Sequence, residues 1–305
     1  MVQSLSSRNS DSSLSTRGDQ SGEADDDSEA VWPDLQLASA AGDVDLVLSL
    51  LSGGADPNEP PVGYYGRTAL QAASLAGHLA VVEVLLGHGA SVDTPGGNNS
   101  GRTALTLAAE GGHLPVVDVL LAHGANINRP ASRYNGRTAL QAAAEAGHLA
   151  AVERLLAQGA EVNALPSYNH GRTPLQAAAA SGHVAIAELL LARGAHVNTK
   201  LQRYKGLTAL QAAALAGSAP LVARLLALGA DVNAAGSYYN GYTALCAAAE
   251  AGSEPVVDLL LAAGADVSMT AGNKHWTPWR FAVAWGHDRV AEILKAAEGK
   301  DTIAE

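Results

Sequence analysis

Apolar residues in this chain come in short alanine- and leucine-rich bursts closed by glycine, and the pattern of bursts returns every 35 residues. One unit, at 136–170, reads GRTALQAAAEAGHLAAVERLLAQGAEVNALPSYNH. Its first burst follows Thr138, whose hydroxyl can accept from the free N–H groups that open a helix. Thr173-Pro174 and Thr277-Pro278 place proline at the first helical position, where its missing N–H costs nothing. That helix should end at Ala146-Gly147-His148, with glycine taking the left-handed turn. A second burst starts at proline in three units, Pro115, Pro220 and Pro255. Its apolar residues recur at three- and four-residue spacing (Val116, Val117, Leu120, Leu121), which predicts a helix with one buried face. A short extended piece (Val162-Asn163) and a polar tip with tyrosine and proline complete a helix, turn, helix and finger. No such unit can bury its apolar face alone, so the units must stack.

The period holds across six full units. Gly66, Gly101, Gly136, Gly171, Gly206 and Gly241 are 35 apart, as are Thr68, Thr103, Thr138, Thr173, Thr208 and Thr243. Gly89, Gly124, Gly159, Gly194, Gly229 and Gly264, which close the second burst, keep the same spacing. A partial unit precedes them and a degenerate one follows, where Thr277 comes 34 residues after Thr243. The expected organisation is an array over 31–298, with units near 31–65, 66–100, 101–135, 136–170, 171–205, 206–240, 241–274 and 275–298, and a tail at 299–305. The last unit ends in Lys295, Glu298, Lys300 and Asp301, a polar outer face suited to a cap. Residues 1–30 hold nine serines, seven acids and two arginines and almost no large apolar side chain. Such a segment cannot offset its ordering entropy and is expected to be a disordered acidic leader.

Composition narrows the function. Aromatics make up 4% of the 305 residues and Phe281 is the one phenylalanine, so the core is built from alanine and leucine. Nineteen bases against 30 acids give a net charge of −11, which argues against direct nucleic-acid binding. No apolar run reaches the ~18–20 residues of a membrane span. The first thirty residues lack an apolar signal segment, and Cys246 is the one cysteine, so an intracellular chain, cytoplasmic or nuclear, is expected.

Motifs that carry chemistry are missing. The sequence has no phosphate-binding Gly-x-x-x-x-Gly-Lys-Ser/Thr loop, no His-Glu-x-x-His and no Gly-x-Ser-x-Gly elbow. His78, His113, His148 and His183 recur at 35 residues, which sets them in a row along the stack rather than around one metal. Each is expected to bond the turn in which it sits. No catalytic residue, metal or cofactor is expected.

The Thr-Ala-Leu-Gln-Ala-Ala box (Thr138 to Ala143), the Gly-His pair, the pair Leu155-Leu156 and Gly-Ala-x-Val-Asn (Gly159 to Asn163) closely resemble the ankyrin repeat. Two departures stand out: glutamine (Gln71, Gln141, Gln176, Gln211) replaces the usual box histidine, and the finger is two residues longer. Units of this form are similar to the arrays abundant in filamentous fungi. The resemblance implies an all-α ankyrin solenoid of about eight helix-turn-helix units with β-hairpin fingers. It also places the residue after the finger glycine on the inner, concave surface, here Arg67, Arg102, Arg137 and Arg172, then Leu207 and Tyr242, with Trp276 at the matching position after His275. The finger tips carry Tyr134, Tyr204 and Tyr239 beside Tyr64, Tyr65, Tyr168 and Tyr238. Arginine and tyrosine are the side chains that most often anchor interfaces. The arginines could equally pair with Glu110, Glu145 or finger carbonyls, and the tyrosines could pack between fingers. The expectation is a monomeric, non-catalytic scaffold or adaptor that binds a protein partner on the concave face. A nuclear transcription co-regulator and a ubiquitin-ligase substrate adaptor are the alternatives.

Overall fold

The computed structural model describes residues 33–62, 66–95, 101–129, 136–167, 171–199, 206–237, 241–271 and 275–301. The leader and the tip residues Tyr64, Tyr65, Tyr134, Tyr168, Tyr204, Tyr238 and Tyr239 lie outside the described residues. Sixteen helices in eight pairs make up the described fold. The first helices of the pairs are α1 (Asp34–Ala41), α3 (Ala69–Ala76), α5 (Ala104–Glu110), α7 (Ala139–Ala146), α9 (Pro174–Ala180), α11 (Ala209–Leu215), α13 (Ala244–Ala251) and α15 (Pro278–Trp285). Their partners are α2 (Val44–Ser52), α4 (Leu79–Gly87), α6 (Leu114–Ala122), α8 (Leu149–Ala157), α10 (Val184–Ala192), α12 (Ala219–Ala227), α14 (Glu254–Ala262) and α16 (Asp288–Asp301). Each odd helix packs on the next odd helix and each even helix on the next even one, giving two parallel layers in series. This is an all-α solenoid. The last helix runs on to Asp301, into the segment expected to be tail.

The glutamine that replaces the box histidine has two tasks. Thr68, Thr138, Thr173 and Thr208 cap α3, α7, α9 and α11, each accepting from the backbone N–H of Gln71, Gln141, Gln176 or Gln211. Each glutamine Oε1 accepts in return from the threonine N–H at 2.9–3.0 Å, closing a capping box. The amide then donates to the outgoing finger: Gln71 to Thr94 O at 2.8 Å, Gln141 to Ala164 O at 3.1 Å and Gln211 to Ala234 O at 2.9 Å. Glutamine thus fixes the helix start and the finger neck together. The finger itself shows one β-bridge among the described residues, where Ala271 N–H donates to Trp276 O.

Repeats are tied to one another at two further places. Asn58, Asn128, Asn163, Asn198 and Asn233 each donate Nδ2 to a glycine carbonyl of the next repeat and accept one of its N–H groups. The histidine row makes the second tie, and here the structure corrects the expected role. Nε2 of His78, His113 and His183 donates to the carbonyl of Ala40, Leu75 and Glu145, and His287 donates to Glu250, all in the preceding repeat. These are carbonyls at helix ends, which lack an intrahelical partner, so a ring in the next unit satisfies them. Gly77 shows the fit: its φ is +78°, and a Cβ there would stand 2.4 Å from the His113 ring.

Small residues let the odd helices approach. Ala73, Ala108, Ala143, Ala178, Ala213 and Ala248 form a fully buried row, and Leu70, Leu105, Leu140, Leu175, Leu210 and Leu245, each 1% exposed, form another. At the end of the array the alanine row stays buried at Ala282, but the leucine row comes into the open. Trp279 stands at the leucine position and is 36% exposed, and Val283, on the same helix, is 49% exposed. The apolar end of α15 departs from the polar cap expected there, because stacking positions are covered only when another repeat follows.

Candidate partner-binding face

Arg67, Arg102, Arg137, Arg172, Leu207, Tyr242 and Trp276 all stand half-buried at the finger necks, one per repeat. The necks at Gly66, Gly171 and Gly241 close tightly: Gly171 N–H donates to Ser167 O at 3.2 Å, and a Cβ on Gly171 would meet Ser167 N at 2.0 Å. The residue after that glycine therefore leaves the neck in a fixed direction, beside the start of an odd helix.

Three of the four arginines are engaged in a chain of alternating charge. Arg102 Nη1 donates to both oxygens of Glu110, at 3.0 and 2.7 Å. Arg137 holds Glu145 through Nη2 at 3.0 Å and Nε at 2.7 Å, and its Nη1 lies 4.0 Å from Glu110. Arg172 reaches back one repeat to Glu145 at 3.3 Å. The order Arg102, Glu110, Arg137, Glu145, Arg172 runs across three repeats. Arg67 differs, because the position matching Glu110 in its repeat is Leu75, and no ion pair to Arg67 occurs among the described residues. Four arginines less two glutamates leave this half of the face at +2, within a chain of −11.

The other half is apolar and aromatic. Tyr242 and Trp276 both pack on Phe281, with ring centroids 5.5 and 5.3 Å apart, and the Arg280 guanidinium lies over the Trp276 ring at 5.4 Å. Leu207, Tyr242 and Trp276 rest against the core. The Tyr242 phenol is pushed up to about 12, first by burial and then by the Glu250 carboxylate beside it. The eight-residue step from Tyr242 to Glu250 repeats that from Arg102 to Glu110 and from Arg137 to Glu145. Cys246, at a box position, is fully buried, and burial pushes its thiol up to about 11, far from a nucleophilic thiolate.

The family model for ankyrin repeats (three copies) matches residues 35–131, 129–201 and 210–304. The chain belongs to the ankyrin repeat family. A search of curated proteins finds no match. Ankyrin repeats are in general protein-interaction modules, which supports that general role for this array. Among the described residues no helix is long and apolar enough to cross a membrane, and no group of three His, Cys, Asp or Glu side chains could hold a metal. Within the ankyrin array the sequence reading located the row of neck residues. It did not place Phe281 in the aromatic cluster, although its position four residues after Thr277 faces the same neck. The tip residues Tyr134, Tyr204 and Tyr239 lie outside the described residues.

Proposed function

We propose that the array over 31–298 is a non-catalytic scaffold that binds a protein partner along the finger-necks face, the concave face in ankyrin arrays. The observation that carries this reading is the row of seven half-buried neck side chains, basic in one half and apolar in the other. Half-buried aromatic and arginine side chains on rigid elements are ready anchors, since little freedom is lost when a partner covers them. The ion pairs refine the expected electrostatics. Arg137 is committed to Glu145, so an acidic partner segment gains most from Arg67 and Arg172, which among the described residues have no glutamate and one longer bond respectively.

The test is affinity capture of partners by the full chain, repeated with variants that melt like the parent. Tyr242→Ala should weaken capture with little change in salt dependence, whereas Arg67→Ala with Arg172→Ala should weaken it and flatten its salt dependence. Full-strength binding by both variants would move the site to another face.

A further inference from the structure

We propose that the pocket where the repeats beginning at Gly101, Gly136 and Gly171 meet takes one phosphoryl group, carried on a phosphorylated side chain of the partner segment. The proposal rests on the binding face described above and names the chemistry of one subsite on it. A cavity of about 260 Å³ opens there, lined by Arg102, Arg137, Arg172, Glu145 and Ser167 among others. Two donors in it are unspent. Ser167 is 4% exposed, and its Oγ has no hydrogen-bond partner among the described residues. The Nε of Arg102 is likewise buried without a partner, although its Nη1 holds Glu110. Buried donors left unpaired cost free energy that an incoming acceptor recovers. Among the described residues Arg172 makes one contact, at 3.3 Å to Glu145, and its remaining N–H groups can serve a ligand.

Charge and geometry select the class of ligand. Three arginines less Glu145 leave the lining at +2, in a chain whose net charge is −11. Glu145 is itself held by Arg137 and Arg172, so it positions their guanidinium groups. The donors come from three separate elements: the neck of one repeat, the neck two repeats later and the finger between. A planar carboxylate presents two oxygens and one charge. A phosphoryl group presents three oxygens and close to two charges, which matches both the donors and the local excess.

The experiment uses the full chain, labelled with 15N and titrated separately with inorganic phosphate, end-capped phosphoserine and glutarate, with chloride at matched ionic strength. Phosphate and capped phosphoserine should each move the amides of Ser167 and Gly171 saturably, and glutarate should bind at least about tenfold more weakly. Arg102→Gln should weaken both phosphoryl probes about tenfold, and Ser167→Ala about threefold or more. Ser167→Ala leaves every ion pair in place, so it keeps the test decisive if Arg102→Gln fails to fold. Shifts reproduced by chloride, equal affinity for glutarate, binding of free phosphate but not of capped phosphoserine, or undiminished affinity in Ser167→Ala would each overturn the proposal. A spectrum unmoved by phosphate, together with capture that still depends on Tyr242, would remove the subsite and leave the binding face standing.

Discussion

Asp93 breaks the asparagine ladder and gives a direct measure of what one of its rungs contributes. At the equivalent position Asn58, Asn128, Asn163, Asn198 and Asn233 accept an N–H of the next repeat at 2.7–3.0 Å and donate to its glycine carbonyl at 2.8–3.1 Å. Asp93 accepts from Asn126 N–H at 3.2 and 3.1 Å, but its carboxylate has no proton to give the carbonyl of Gly124. Asp93→Asn should supply that bond and remove a negative charge facing a carbonyl oxygen. The site is exposed, so the gain belongs at the low end for a hydrogen bond, about 0.5–1 kcal/mol. For an array of this size that is a rise in Tm of roughly 1–3 °C. The converse change, Asn163→Asp, should lower stability by a similar amount by losing the bond to Gly194. Thermal and urea unfolding of the two variants beside the parent gives both signs. An unchanged or lowered midpoint in Asp93→Asn, alongside a drop in Asn163→Asp, would refute the claim that the donated bond is the stabilising half of the rung.

Other expectations follow from the same structure. Ser218 stands where other repeats carry the stacking histidine. Ser218→His should raise the urea midpoint, since Gly182 has open space where Gly42, Gly77, Gly112, Gly147 and Gly252 each face an imidazole, and Ala180 offers the matching carbonyl. Leu140→Ala should cost about 2–5 kcal/mol in the same assay. Leu294 is equally buried, so its truncation should be costly too rather than mild, as a polar terminal cap would suggest. Gly171→Ala should cost about 1–3 kcal/mol, because the finger neck has no room for a Cβ. Below pH 10 Tyr242 is protonated in folded and unfolded chains alike. Between 10 and about 12 the unfolded chain releases a proton that the folded chain keeps, so stability falls across that window. Tyr242→Phe should flatten that part of the stability profile and remove a phenol titrating near 12 from the ultraviolet titration.

The repeat, its paired helices and its caps were legible because they depend on local chemistry. A threonine before an alanine run and a glycine after it specify helix ends without reference to anything distant. The direction of the histidines was not legible, since the free carbonyl they seek lies 37 or 38 residues back in the chain and nothing in the turn itself points to it. The end face was read in part: α16 leaves Lys295 exposed as expected, but α15 also leaves Trp279 and Val283 open, which the polar residues of α16 did not signal. At the candidate site, the row of neck residues followed from the period alone. Whether an arginine there was free or paired could not follow from the period, because it depends on which repeats carry glutamate eight residues later. Leu75 leaves Arg67 without a partner among the described residues, while Glu145 serves both Arg137 and Arg172.

The central claim is that a protein partner lies along the finger necks. Amide hydrogen exchange of the full chain, alone and with a captured partner, tests it most directly. The account predicts added protection at the necks and first turns around Arg67, Arg137, Arg172 and Tyr242, with the outward turns of α4, α8 and α12 unchanged. Protection confined to α4, α8 and α12, with the necks exchanging as before, would contradict it.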